Sequence, residues 1–471
     1  MKQTDFLERI RHFYNGVWYP VLVALLVFVG YCTNLELYFG VFMLATMMLG
    51  CFLCDDLRFA ISPFLCTIFA VSVAHSPNVP DYSKYYIETP VLITLIITAV
   101  LLIESFVYFT VKHRHRAKPI KKKAIFWSML IFCISIAANG LFGAGYTIKN
   151  LIYSLSFAFS LLLVYWLFSA YVRFENKAVF DYFMYCLMIA GMLISAELIF
   201  AYFTTIRFDE AGGIIKESVV LGWGVWTAVG GMLAFLMPSC FYFAASHTYG
   251  WIGFLLGGVM YACILLSQAR GALLVGSVIL LICLASLWFY GKNRKQNRIF
   301  TLVGLVIGVL GCVLLWGKIS SLLDNFITYG FSDNGRFDLW RTGIEHFKSN
   351  VVFGAGFYTL VNESWPKDVY PYLYHNTLIQ LLGACGLLGI GSYLYHRSLT
   401  LRLALYHCNT VKLFLGISIL SLLLTSFLDV LFFNTYPTIF YSMMLLFMEK
   451  TEEQTEMEPC LTWIKPLSEI K

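Results

Sequence analysis

Fourteen blocks of mostly apolar residues leave this chain few ways to fold. They lie at roughly 17–33, 37–54, 59–74, 91–111, 124–142, 151–172, 180–203, 219–245, 250–267, 272–290, 299–317, 376–395, 411–428 and 430–448. A helix that crosses a bilayer needs about 20 such residues. The hydrocarbon core offers no water to exposed backbone groups, so only helices and closed barrels span it. The blocks run apolar throughout rather than alternating with polar residues, which excludes a membrane β-barrel. Only 13% of the 471 residues are charged, against about 25% in a soluble domain, and 59% are hydrophobic. A soluble enzyme on a single anchor, a nucleic-acid-binding domain and a secreted disulfide scaffold are all excluded. The expected fold is all-α: a polytopic membrane bundle of about 14 transmembrane helices, with a long extracytoplasmic loop that contains an amphipathic helix.

Lys and Arg set the expected orientation. With the N-terminus in the cytoplasm, the short connections on that side hold 20 of them, and those on the other side hold five: Lys84, Lys149, Arg207, Lys216 and Arg270. That bias follows the positive-inside rule. It predicts residues 1–317 as eleven transmembrane helices, 318–375 as an extracytoplasmic loop, 376–448 as three more helices, and 449–471 as an acidic cytoplasmic tail. Lys2, Arg9 and Arg11 precede the first block without a small-residue cleavage site, so the first helix is read as retained. The run KHRHRAKPIKKK (112–123) reads as a topology determinant in contact with anionic head groups, not as a nucleic-acid site.

Familiar soluble-enzyme signatures are missing. Gly317-Lys318 lacks the rest of a phosphate-binding loop, and no G-x-S-x-G, H-E-x-x-H or D-x-D occurs. The sequence therefore calls for no cofactor and no metal. Most of the thirteen cysteines sit inside apolar blocks, where a thiol behaves as a small hydrophobe, and Cys51-x-x-Cys54 has no second pair to complete a metal site. Asn362-Glu363-Ser364 fits a glycosylation sequon by chance.

The longest connection, 318–374, is where chemistry is expected, since loops of this length are more often functional than idle. Within it, Phe337, Trp340, Ile344 and Phe347 recur at helical spacing opposite Asp338, Arg341, Glu345 and Lys348. The pattern predicts a helix over 337–349 that lies on a membrane surface or roofs a cavity. FGAGF (353–357) permits a tight turn or close approach to a ligand. Trp365, Tyr370, Tyr372 and Tyr374 offer ring faces to a sugar or to the membrane interface, and lead into His375-Asn376 at the mouth of the next block. Arg270, in SQARG, and Arg336 add forked cations suited to phosphate. An arginine at membrane depth points to a cavity or partner, and a histidine can take a proton near neutral pH.

The order SQARG, then GRFDLWRTGIEHFKSNVVFGAGF, then YHNTLIQLLGACGLLGIG, over about 250–395, resembles the O-antigen ligase and O-antigen polymerase superfamily of bacterial membrane glycosyltransferases. Ser349-Asn350 departs from that family's pattern, which often has a proline before the glycine turn. The resemblance implies metal-independent, inverting transfer of an oligosaccharide from polyprenyl (undecaprenyl) diphosphate to a glycan or lipid-glycan acceptor. The reaction would take place at the outer face of the cytoplasmic membrane, in O-antigen, capsule or related polysaccharide synthesis. It makes His375, Arg336 and Arg270 the catalytic candidates. Arg341, Gly354, Gly356, Trp365, Tyr372, Tyr374 and Asn376 are the substrate-binding candidates. Membrane lipids and a chain-length regulator protein are the further partners it suggests. The alternative from another class is a secondary transporter or a lipid-linked glycan flippase, for which Glu104 and Glu197 inside spans would argue.

Overall fold

The computed structural model describes residues 2–73, 75–76, 82–117, 124–144, 147–210, 213–291, 294–314, 335–357, 373–429 and 431–454. Trp365, Tyr372, the sequon and the acidic tail beyond 454 lie outside them.

Helices dominate. In chain order they are α1 (Lys2–Tyr14), α2 (Trp18–Thr33), α3 (Glu36–Leu53), α4 (Ile61–Val71), α5 (Tyr82–Ile87) and α6 (Thr89–Lys112). Next come α7 (Ala124–Phe142), α8 (Ile148–Tyr171), α9 (Ala178–Thr204), α10 (Trp226–Leu236), α11 (Pro238–Ser246) and α12 (Gly250–Leu266). The last six are α13 (Arg270–Phe289), α14 (Arg294–Leu314), α15 (Arg336–Ser349), α16 (Thr377–Leu405), α17 (Thr410–Leu428) and α18 (Thr435–Lys450). Two short strands, β1 (Val220–Leu221) and β2 (Gly224–Val225), form a tight antiparallel hairpin ahead of α10.

Each of the fourteen blocks carries a helix, yet fewer than fourteen helices are long enough to cross a bilayer. Among the described residues nine are long and apolar enough, or ten if the bent pair Phe6–Tyr14 and Trp18–Thr33 is one span. For some blocks the difference is one of length. α4 has 11 residues and α18 has 16, short of the depth of a hydrocarbon core. α18 is instead the bundle's central post: Phe440 to Met448 are buried almost throughout, and Phe447 stacks on Phe183 at 3.9 Å. The described cysteines are free, and all but Cys32 are buried.

Basic residues gather at one end. There Asp55 receives both Arg116 and Arg173 at 2.9 Å, Arg11 donates to the Leu53 carbonyl, and Lys112 donates to that of Phe52. Partial burial would raise the Asp55 carboxyl, but the two guanidiniums outweigh it and hold the group below its usual 3.8. A depressed carboxylate adds stability that is present above its unfolded pKa and lost as pH falls through the folded one. The unfolding midpoint of the wild type should therefore exceed that of Asp55→Asn at neutral pH, and the gap should close below about pH 4. A gap unchanged by acidification would count against the pairing.

Arg397 lies inside α16 rather than beyond it, where the charge count puts it. Its guanidinium packs on the rings of Tyr393, Phe432 and Tyr441 at 4.8, 4.4 and 4.5 Å. The apolar stripe of α15 is also not its packed face: Phe337 and Ile344 stay exposed. The helix docks on α16 through Gly343, where an added Cβ would come within 2.5 Å of Ile379.

α16 is broken at Gly386 (φ 64°, ψ −160°). The segment from Val351 fills the break like an extra strand. Ala355 and Gly356 donate to the carbonyls of Gly383 and Ala384 at 2.9 and 3.0 Å, and Leu387 and Leu388 donate to those of Val351 and Val352 at 2.9 and 3.2 Å. Backbone groups freed inside an apolar bundle must find such partners.

Candidate functional site

Opposite the basic end, the N-terminus of α16 carries His375 and Asn376. Asn376 caps the helix: its side chain accepts from Leu378 and Ile379 at 2.9 and 3.2 Å and donates to the Phe427 carbonyl at 3.1 Å. His375 sits at φ 51°, a left-handed conformation that non-glycine residues adopt only when their surroundings hold them there. Its Nδ1 donates to Asp429 Oδ1 at 3.0 Å, directly after the end of α17. An ionised carboxylate only accepts, so this bond places the neutral imidazole's proton on Nδ1 and leaves Nε2 as a base. The His375 side chain is 40% exposed and that of Asp429 21%, so the pair opens to the surface.

Arg270 reaches the same place from another direction. Gln268, at φ 56°, reverses the chain after α12, and Arg270 is the first residue of α13. Gly271 follows it, and a Cβ there would lie 3.4 Å from Leu428, the residue before Asp429. The arginine and the His–Asp pair are thus neighbours through one contact. Gly230 of α10 makes room for the turn, since a Cβ there would meet Ser267 Oγ at 2.6 Å and Ala272 at 2.8 Å. One turn before it, Trp226 carries the Lys216 ammonium 5.0 Å from its ring centre. Burial pushes Lys216 below its usual 10.5, and Arg270 and, more weakly, Arg336 add to the effect against Glu217. Arg270 and Arg336 thus lie near enough to Lys216 to act on its charge, with Glu217 opposing them.

The remaining candidates separate into two groups. Gly354 (φ 70°) and Gly356 (φ 97°) are pressed against protein, since a Cβ on Gly354 would come 2.4 Å from the Ala384 carbonyl carbon and one on Gly356 2.7 Å from Asn150. Two fully buried asparagines secure this turn. Asn139 donates to the carbonyls of Phe353, at 2.7 Å, and Ala384, while Asn150 accepts from the Phe357 N–H at 2.8 Å. Where the family often has a proline, Asn350 does the turn's work: it accepts from the Phe353 N–H and donates to the Phe142 carbonyl, both at 3.1 Å. Gly354→Ala should cost at least about 2 kcal/mol through left-handed strain and overpacking, read as a lowered unfolding midpoint in detergent.

Tyr374 is wholly buried, with its hydroxyl on His346 Nδ1 and its N–H on Gln380 Oε1 at 3.0 Å. It fixes α15 to α16. Burial pushes the His346 imidazole below its usual value, so the joint is a neutral one. Arg341 is 82% exposed and pairs with Glu345 at 3.7 Å, while Asn376 is held by its capping role. Glu197, which would argue for a transporter, is buried and accepts from Trp223 Nε1 at 3.0 Å.

Sequence reasoning missed Asp429 and Lys216 as site residues, and Asn139 and Asn150 as supports. None carries a local motif: Asp429 is a single acid after an apolar run, and Lys216 one loop lysine among several.

Residues 232–394 match the O-antigen ligase family, a stretch that includes Arg270, Arg336, both turn glycines and His375. Lys216 and Asp429 fall outside it. No curated protein matches the chain. The resemblance carried by SQARG, the glycine turn and YHN is borne out over this third of the molecule, and residues 232–394 of this multi-pass membrane protein form an O-antigen ligase family region.

Proposed function

We propose that the protein is a glycosyltransferase of surface-polysaccharide synthesis that takes oligosaccharide units from a polyprenyl diphosphate, undecaprenyl diphosphate by resemblance, and passes them to a glycan or lipid-glycan acceptor. One observation supports this reading: Gly271, next to Arg270, packs against Leu428, next to Asp429, which would let a phosphate-binding arginine and a proton-accepting His375–Asp429 pair serve one substrate at this end of the bundle. The positive-inside bias supports that end as the outer face, because Asp55 and its arginines lie at the other.

In the reaction, the acceptor hydroxyl gives its proton to His375 Nε2 as its oxygen attacks the anomeric carbon. The bond from that carbon to the diphosphate oxygen breaks on the opposite face, so configuration inverts and the electron pair leaves with the diphosphate. Arg270, Lys216 and Arg336 neutralise the growing negative charge with fixed cations, which need no reorganisation at that moment. Asp429 holds the imidazole's orientation and stabilises its protonated form. Trp365, Tyr372 and the exposed Arg341 serve the glycan chains in this reading. In this reading the two buried glycines and Tyr374 hold the turn and the α15–α16 joint that support the site. The activated bond arrives with the donor, so no nucleotide is consumed.

The test uses the full chain in liposomes with a labelled undecaprenyl-diphosphate oligosaccharide, reading product length and released lipid diphosphate. A ladder of lengthening glycans identifies a polymerase, and a single transfer to an added acceptor identifies a ligase. If labelled lipid changes leaflet and no diphosphate is released with any acceptor, the transferase reading fails and a flippase takes its place.

A further inference from the structure

α6 stands at the rim of the bundle. Its most apolar stretch is only 17% buried, the smallest share among the nine candidate spans of the described residues. It buries Val91, Thr98, Ser105 and Phe109, and leaves Ile96, Val100, Ile103, Val107 and Val111 exposed. For a helix facing lipid this is ordinary. Glu104 is not: it lies exposed on that same face.

Its depth leaves it few remedies. Glu104 is 15 residues from Thr89 and eight from Lys112, the ends of α6, or about 22 and 12 Å along the axis. Helical side chains lean toward the N-terminus, so the carboxylate tilts away from the nearer interface rather than snorkelling to it. Lys112, which with Tyr108, Ile103, Val107 and Val111 lines a shallow groove around Glu104, does not neutralise it. The Lys112 ammonium donates to the Phe52 carbonyl at 3.0 Å and lies 5.2 Å from the Tyr108 ring centre. Among the described residues Glu104 has no hydrogen bond or ion pair. Ionisable groups at membrane depth turn to a protein partner or a cavity, not to lipid.

We propose that this face of α6 is a helix–helix docking surface, and that its occupant is a transmembrane helix of another membrane protein carrying a cationic or hydrogen-bond-donating side chain at the depth of Glu104. Charge complementarity selects this occupant over a second copy of the chain, whose two-fold pairing would set acid against acid. The proposal stands apart from the transfer reaction, since Glu104 touches none of the groups assigned to it.

The test places the full-length protein, labelled with a fluorophore, in liposomes. The probes are synthetic leucine–alanine helices of about 20 residues, one with a central arginine and one with leucine in its place. Energy transfer should show the arginine helix binding about tenfold more tightly than the leucine helix, as expected of a polar contact between membrane helices. Glu104→Leu should abolish that preference while transfer activity and unfolding midpoint stay at wild-type level, and Glu104→Gln should keep part of it. Equal binding of the two helices to the wild type would overturn the proposal. So would self-association of the protein that disappears with Glu104→Leu, which would assign the face to a second copy.

Discussion

His375→Ala is expected to lower turnover by about 10²–10⁴-fold, the range that a positioned general base contributes. The fall should appear in kcat with little change in the donor's KM, because the imidazole meets the acceptor proton and not the diphosphate. Added imidazole should restore part of the rate by filling the space the side chain leaves. Asp429→Asn should also act on kcat: an amide can offer its NH₂ to Nδ1, drawing the ring proton to Nε2 and removing the base without emptying the site. The fold should survive both changes, since the two side chains are partly exposed and the α16 cap belongs to Asn376. A His375→Ala enzyme that kept more than about a tenth of its activity would move the base elsewhere, because no general-base role is worth so little.

Arg270→Ala is the second large effect, about 10²–10³-fold, as when a fixed donor is removed from a developing anion. Here the signature differs. Released lipid diphosphate and donor affinity should both fall, and Arg270→Lys should recover charge but not the forked geometry. Lys216→Met should cost less, about tenfold, since its ammonium lies over Trp226 and acts as a point charge at the edge of the cluster. The double variant should lose less than the product of the single losses, because neighbours that bind one anion are coupled. Strict multiplicativity would mean that the two cations serve different ligands, and Lys216 would then leave the site.

Parts of this site could be read from residues alone. SQARG stood out because arginine is expensive beside two apolar blocks, and YHN because a histidine stands at the mouth of a third. These are costs of single residues in a bilayer, and they need no knowledge of neighbours. Asp429 offered nothing comparable. It is 54 residues from its histidine, and its place follows from α17 ending where α16 begins. The glycine turn was legible as a turn, but what it packs against was not. Its close approach is to the broken backbone of α16, whose break at Gly386 shows only as one glycine among several in GACGLLGIG.

The sequence by itself determined that this chain lies in a membrane, where its helices run and which end bears the positive charge. Hydrophobic transfer and the need to satisfy every backbone group act on each segment separately. Tertiary structure alone decided the rest. It made α18 a buried post, filled the α16 break with the 351–357 segment, and turned Arg397 into a ring of aromatics. It also packed Gly271, which follows Arg270, against Leu428, which precedes Asp429. Contacts between residues far apart in sequence depend on how helices pack, and a run of apolar side chains packs acceptably in many ways. Small residues and buried amides choose among those ways, and their effect appears only when the partner helix is in place.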